Sequence, residues 1–271
     1  MKRIYILFLT AIIIAASSCN KVDNITIDPI YNLISNVDPE RASNPNNCYD
    51  YVGRLHFDGV KYVTSHQNWN TSIGNILVLS SQFYETSLQS KNGPSGPNVV
   101  NNIFTEEEIY EIYENARDKF IICNRKDISL ALQQEFESFS RVIMDLCENS
   151  NEYSYEVIKN RMIQYENTVL ENSSLSEDEQ QVVLESTSIF RYSTLQWEEV
   201  VDSIEPDDTK VVISTKKLKW WQWLIVGAAD AAGGAIASLI GPGGLTVPGA
   251  VAASTGAISI MVGDKSVSTI N

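Results

Sequence analysis

The chain has 271 residues, with 20 Lys and Arg against 34 Asp and Glu, a net charge of −14. Residues 20–219 alone carry 17 basic and 32 acidic side chains, so the acidity lies in the body of the chain. A surface this acidic cannot neutralise a phosphate backbone, which excludes nucleic acid as a partner.

The first residues read as an export signal. Lys2 and Arg3 precede an apolar core from Ile4 to Ile14, too short for a stable span, and Ala16, Ser17 and Ser18 lead to Cys19. The pattern resembles a bacterial lipoprotein signal peptide. The resemblance implies that residues 1–18 are removed and that Cys19 becomes an acylated (palmitate-type) N-terminus, since several acyl chains on one residue give stable anchoring. An ordinary secretory cut near the same place would instead leave Cys19 free. The expected location is the cell envelope, at the outer membrane, on its periplasmic or surface face. Residues 19–47 hold Asp-Pro twice and Asn-Pro once, with no sustained period, and read as a flexible tether.

Next comes a compact block: Asn44-Pro45, Tyr49-Asp50, Val52-Gly53 and His56. It resembles a family of uncharacterised secreted bacterial proteins, lipoproteins among them, that open with Asn-Pro…Tyr-Asp-x-Val-Gly-x-x-His and end in a glycine-rich apolar tail. The resemblance implies secretion and architecture but no chemistry. Asp50 and His56 are six residues apart. They are read either as a functional pair or as a buried Asp–His bond that fixes the N-terminal turn.

Residues 48–215 read as an acidic α-helical domain. Over 68–90, Ile73, Ile76, Leu77, Phe83, Tyr84 and Leu88 recur at helical spacings, and 91–102 is a Gly-Pro loop. Thr105 with Glu108 forms a capping box that opens a helix over 106–121, with Ile109, Ile112 or Tyr113, Ala116 and Phe120 inward. Asp127 is the expected cap of the next helix, striped by Leu132, Phe136, Phe139, Ile143 and Leu146. Ser154 is the expected cap of a helix over 155–171 that buries Ile158, Met162, Tyr165 and Val169. Ser176 with Glu179 is a second capping box, opening a helix over 177–204 with Val183, Phe190 and Trp197 seven apart. Five antiparallel helices with short links make an all-α bundle. Cys48, Cys123 and Cys147 allow at most one disulfide, and are read as small buried hydrophobes. Cys123 and Cys147, near opposite ends of one expected helix, are too far apart to pair, which leaves Cys48 with either one open.

Residues 216–271 are a Lys/Trp lead-in and a Gly/Ala-rich apolar helical hairpin. Lys216, Lys217 and Lys219 precede Trp220, Trp221 and Trp223, the order in which a chain enters a membrane interface. Apolar runs over 223–240 and 245–262 flank a Gly-Pro-Gly-Gly turn. Gly227, Ala231 and Ala235 recur every fourth residue, Asp230, Gly234 and Ser238 do the same, and Gly249, Gly256 and Gly263 recur every seventh. Small residues at these spacings let helix backbones approach closely. The pattern resembles glycine-zipper segments of outer-membrane lipoproteins and membrane-active bacteriocins. The expected membrane or packing interface is therefore Trp220, Trp221, Trp223, Gly227, Gly234, Gly249 and Gly256. Asp230 argues against a simple span, because a mid-bilayer carboxylate costs about 3 kcal/mol; the alternative is a hairpin packed on the domain with Asp230 at a polar seam.

With two histidines, no His-Glu-x-x-His, no Cys-x-x-Cys and no Gly-x-Ser-x-Gly, the sequence offers no catalytic residues, no metal site and no cofactor. The reading is a non-enzymatic envelope lipoprotein, held at the membrane through the Cys19 lipid, whose hairpin contacts membrane or a protein partner. The alternatives are an envelope hydrolase using Asp50 and His56, or a hairpin that is only part of the soluble core.

Overall fold

The computed structural model describes residues 34–66, 72–88, 104–119, 121–123, 125, 127–148, 154–202, 221–240 and 246–267. Cys19, Lys216 to Trp220 and the Gly-Pro-Gly-Gly turn lie outside them, as do the side chains of Trp221 and Trp223. The fold is all-α, with no strand among the described residues.

A 3-10 turn (Pro39–Ala42) precedes α1 (Asp50–His66). Then follow α2 (Ile73–Phe83), continued by a π-helical turn (Tyr84–Leu88), α3 (Glu106–Lys119), α4 (Leu130–Glu148) and α5 (Tyr155–Leu170). The chain closes with α6 (Glu177–Asp202), α7 (Trp221–Ile240) and α8 (Thr246–Val267).

The local signals act largely as expected. Both capping boxes form, with Thr105 N–H donating to Glu108 at 2.7 Å and Ser176 N–H to Glu179 at 2.8 Å. Two caps differ. Asp127 is drawn off by Arg125, and Ser129 takes the N-terminal position of α4, accepting from Leu132 N–H at 3.1 Å. Ser154 holds the N-cap position of α5 without a side-chain bond. The helix expected over 68–90 starts at Ile73, where Ser72 accepts from Asn75 N–H. The stripes on α3, α4 and α5 face inward as read, Phe120 of the first lying outside the described residues.

Three larger corrections concern placement. First, α1 is a full member of the bundle, packed on α6 and α8. Second, the tether is shorter than read, because Ile34, Val37, Ala42, Asn44 and Asn47 are all buried. Third, the hairpin, which follows the bundle helices in the chain, packs within the bundle rather than apart from it. Helix α7 packs on α8, α6 and α3, and α8 packs on α1, α2 and α3. Residues 224–235 and 246–257 are buried without a break. No helix among the described residues is long and apolar enough to cross a membrane.

Helix α6 is the axis. Every residue from Val182 to Trp197 is buried, polar ones included. Three of its hydroxyls, those of Ser186, Thr187 and Thr194, survive burial by bonding to their own helix: Ser186 donates to Val182 O at 2.8 Å, Thr187 to Leu184 O at 3.1 Å and Thr194 to Phe190 O at 2.7 Å. The cysteines among the described residues are free: Cys48 is exposed, against the reading of a buried thiol, and Cys123 and Cys147 are half-buried. Cys123 lies ahead of α4 rather than within it.

Candidate functional site

Larger polar groups on α6 need partners from other helices, because an unpaired buried charge is costly. Three clusters along α6 provide them.

The first centres on Arg191, whose side chain is fully buried. Its Nε donates to Glu166 Oε1 of α5 at 3.0 Å, and its terminal nitrogens donate to Ala42 O and to Asp50 Oδ1. Tyr192 Oη donates to Asp50 Oδ2 at 2.9 Å, and Asn44 Nδ2 donates to Glu166. Burial opposes the guanidinium charge, but Glu166 and Asp50 outweigh it and raise the Arg191 pKa. Burial, the Asp50 charge and the bond to it push the Tyr192 phenol upward.

The same contacts account for much of the Asn-Pro…His block. Asn44 and Asp50 serve the Arg191 cluster, and Asn47 Nδ2 donates to Leu184 O at 3.0 Å. Gly53 brings α1 against α6, since a Cβ there would lie 2.4 Å from Ser188 Oγ. The block is a clasp on α6.

The second cluster joins four helices. His56 of α1 and Asp230 of α7 are both fully buried, with Nε2 and Oδ2 at 3.4 Å. Ser193 of α6 and Ser254 of α8 lie beside the Asp230 carboxyl, with none of these side chains in hydrogen-bond geometry. Burial raises the Asp230 pKa well above the usual carboxylate range and lowers that of His56 to about 3. Burial thus favours the uncharged form of both groups. Ser, His and Asp invite comparison with a catalytic triad, but here both hydroxyls lie beside the carboxyl and the imidazole is wholly enclosed. A triad needs the hydroxyl on the imidazole and access for a substrate.

In the third cluster, Glu185 of α6 accepts from Thr246 Oγ1 of α8 at 2.9 Å and from Gln181 Nε2 at 2.7 Å. Ser238 of α7 also reaches it, and burial raises its pKa.

Asp50 and His56 are therefore not a pair. Six residues on a helix turn them onto different faces, where Asp50 meets Arg191 and His56 meets Asp230. The glycines of the expected interface sit at protein contacts. An added Cβ at Gly227 would meet Thr194 and at Gly234 Ile189, both on α6. At Gly256 it would meet Ile109 of α3. Gly249 faces Ala237 and the carbonyl of Gly233, its counterpart in α7 and a residue the spacing argument passed over. Arg191 and Glu166 were also not legible as partners. The available signal was α6 itself, which between Val182 and Trp197 has only Glu185 and Arg191 as charged residues and so no solvated face.

No group of three or more His, Cys, Asp or Glu that could hold a metal occurs among the described residues. A cleft of about 170 Å³, apart from these clusters, is lined by Glu108, Glu111, Arg125, Ile112 and Ile236 among others. Burial raises the Cys123 thiol and pushes that of Cys147 up to about 12, away from nucleophilic use.

Fold and clusters together define an all-α protein wound on a buried polar helix. No protein-family model, curated protein or solved structure matches the chain.

Proposed function

We propose that the protein is a non-enzymatic cell-envelope lipoprotein, anchored through acyl chains on Cys19, with its glycine-rich hairpin serving as the internal strut of the anchored domain. The anchor rests on the Lys2-Arg3, apolar core and Ala-Ser-Ser-Cys pattern. One observation carries the role of the hairpin: the small-residue faces of α7 and α8 are used up against α6, α3 and each other. The protein surface that the hairpin needs is thus supplied by its own domain. A non-enzymatic role is supported by the enclosure of His56 and its separation from Asp50. The outer-membrane location follows from the signal pattern and remains part of the proposal.

The test is metabolic labelling with a palmitate analogue and membrane fractionation of wild type and Cys19→Ala. Wild type should carry the label and sediment with membranes. Cys19→Ala should lose the label and either stay as precursor or appear as a folded, soluble, helical protein. Carbonate-resistant membrane binding by a processed Cys19→Ala chain would overturn the strut reading and return the hairpin to lipid.

A further inference from the structure

The hairpin α7–α8 has an interface of its own. A Cβ on Gly233 would lie 2.4 Å from Ala253 Cβ and 2.8 Å from Gly249 O, and one on Gly249 would lie 2.4 Å from Ala237 Cβ. Two backbones packed this closely move together. The hairpin is tied to the other helices through two buried carboxyls. Near the connection between α7 and α8, Glu185 of α6 holds Thr246 and Ser238. Midway along α7, Asp230 lies against His56 of α1 and Ser193 of α6.

The groups around each carboxyl matter for what ionisation would do. Asp230 is faced by His56 from α1, Ser193 from α6 and Ser254 from α8. Glu185 is faced by Gln181 on its own helix, by Thr246 and Ser238 from the hairpin, and by Tyr49 and Tyr51 at the start of α1. Arg191, the cation buried on α6, is turned to Glu166 and Asp50 instead. A carboxylate formed at Asp230 would meet hydroxyls and a neutral ring, and one at Glu185 hydroxyls, an amide and phenols.

We propose that α7–α8 is a pH-sensitive unit of the fold, seated while the Asp230 and Glu185 carboxyls are protonated and loosened when they ionise. The direction follows from burial. Both carboxyls have folded pKa values above their unfolded ones. Their stabilising effect is complete below the unfolded values of 3.8 and 4.5 and is lost as pH rises toward the folded ones. His56 acts oppositely, but only below its unfolded value of 6.5, where an opened chain takes up a proton that the folded one refuses. Below that value the His56 effect opposes the Asp230 effect, while Glu185 adds to the latter.

Hydrogen exchange of the full chain tests this, at pH 6.5, 7.5 and 8.5, with rates corrected for base catalysis. Peptides from α7 and α8 should lose protection as pH rises, by at most about ten-fold per pH unit for each carboxyl that ionises. Asp230→Asn keeps the shape of the carboxyl and should flatten most of the slope; Glu185→Gln added to it should remove the rest. If the double variant does not fold, Asp230→Asn alone and the wild-type pH series decide the matter. A flat wild-type hairpin would overturn the proposal. So would an unchanged slope in Asp230→Asn.

Discussion

Replacing Arg191 by Met tests whether the clasp on α6 holds the fold. Met keeps much of the length of the side chain and removes the charge. Three acceptors then lose their donor: Glu166, Asp50 and the carbonyl of Ala42. They do not suffer equally. The Asp50 side chain is 17% exposed and keeps the Tyr192 hydroxyl, whereas Glu166 is fully buried and keeps only Asn44 of the partners described above. Breaking a buried ion pair from one side costs about 3–5 kcal/mol, because the remaining charge is uncompensated. Most of that cost here should come from Glu166. A domain of ordinary stability has about 5–15 kcal/mol in total, so the variant should be close to unfolding at 37 °C. Adding Glu166→Gln removes the stranded charge and should recover at least about 2 kcal/mol. The measurement is urea unfolding at pH 7, followed by far-UV CD, for both single variants and the double. A loss below about 1 kcal/mol in Arg191→Met would refute the reasoning. Simple addition of the two single losses would do the same, since it would mean the two side chains are not coupled.

Three further outcomes follow from other parts of the fold. His56 is lowered from 6.5 to about 3, so its contribution is complete above pH 6.5 and is lost as pH falls; relative to His56→Gln, wild type should lose about 1.4 kcal/mol per pH unit between pH 6.5 and 5, read from urea midpoints. Gly249→Leu drives a side chain into Ala237 and the Gly233 carbonyl and should cost at least about 3 kcal/mol in thermal unfolding, while Gly256→Ala, which meets the movable side chain of Ile109, should cost about 1 kcal/mol. Deleting residues 220–271 uncovers the buried faces of α6, so the remainder should keep helical far-UV CD but bind ANS and unfold without a cooperative transition.

Short-range signals carried much of the fold. The two capping boxes, the stripe from Leu132 to Leu146 and the seven-residue spacing of Val183, Phe190 and Trp197 depend on neighbours a few residues away, and each is realised. Long-range pairings were not legible. Asp50 lies 141 residues from Arg191, and Asn44 lies 122 from Glu166; no local rule selects those partners. The Asp50–His56 reading failed for a related reason, since closeness in sequence was taken for closeness in space on a helix that turns the two apart. The seam position of Asp230 was legible as an alternative, because a carboxyl among Gly and Ala has to be neutralised or paired wherever the hairpin lies. That its neighbour would be His56 was not.

The polar content of α6 explains why the hairpin belongs inside the bundle. A helix buried on all sides by apolar contacts alone could slide or rotate against its neighbours at small cost, since dispersion is non-directional. Here Glu185 meets α8, Ser188 accepts from Gly53 N–H of α1, Arg191 meets α5 and the start of α1, and Ser193 lies beside Asp230 of α7. Each contact fixes one neighbour in height and rotation, because shifting it by one residue would strand a buried polar group. The small residues of α7 and α8 complete the arrangement from the other side. They bring backbone close enough to cover α6 but contribute little selectivity themselves, so register has to come from the few polar residues among them. Asp230 is one of these and Thr246 another, which is a reason for a carboxyl to sit in the middle of an otherwise apolar run.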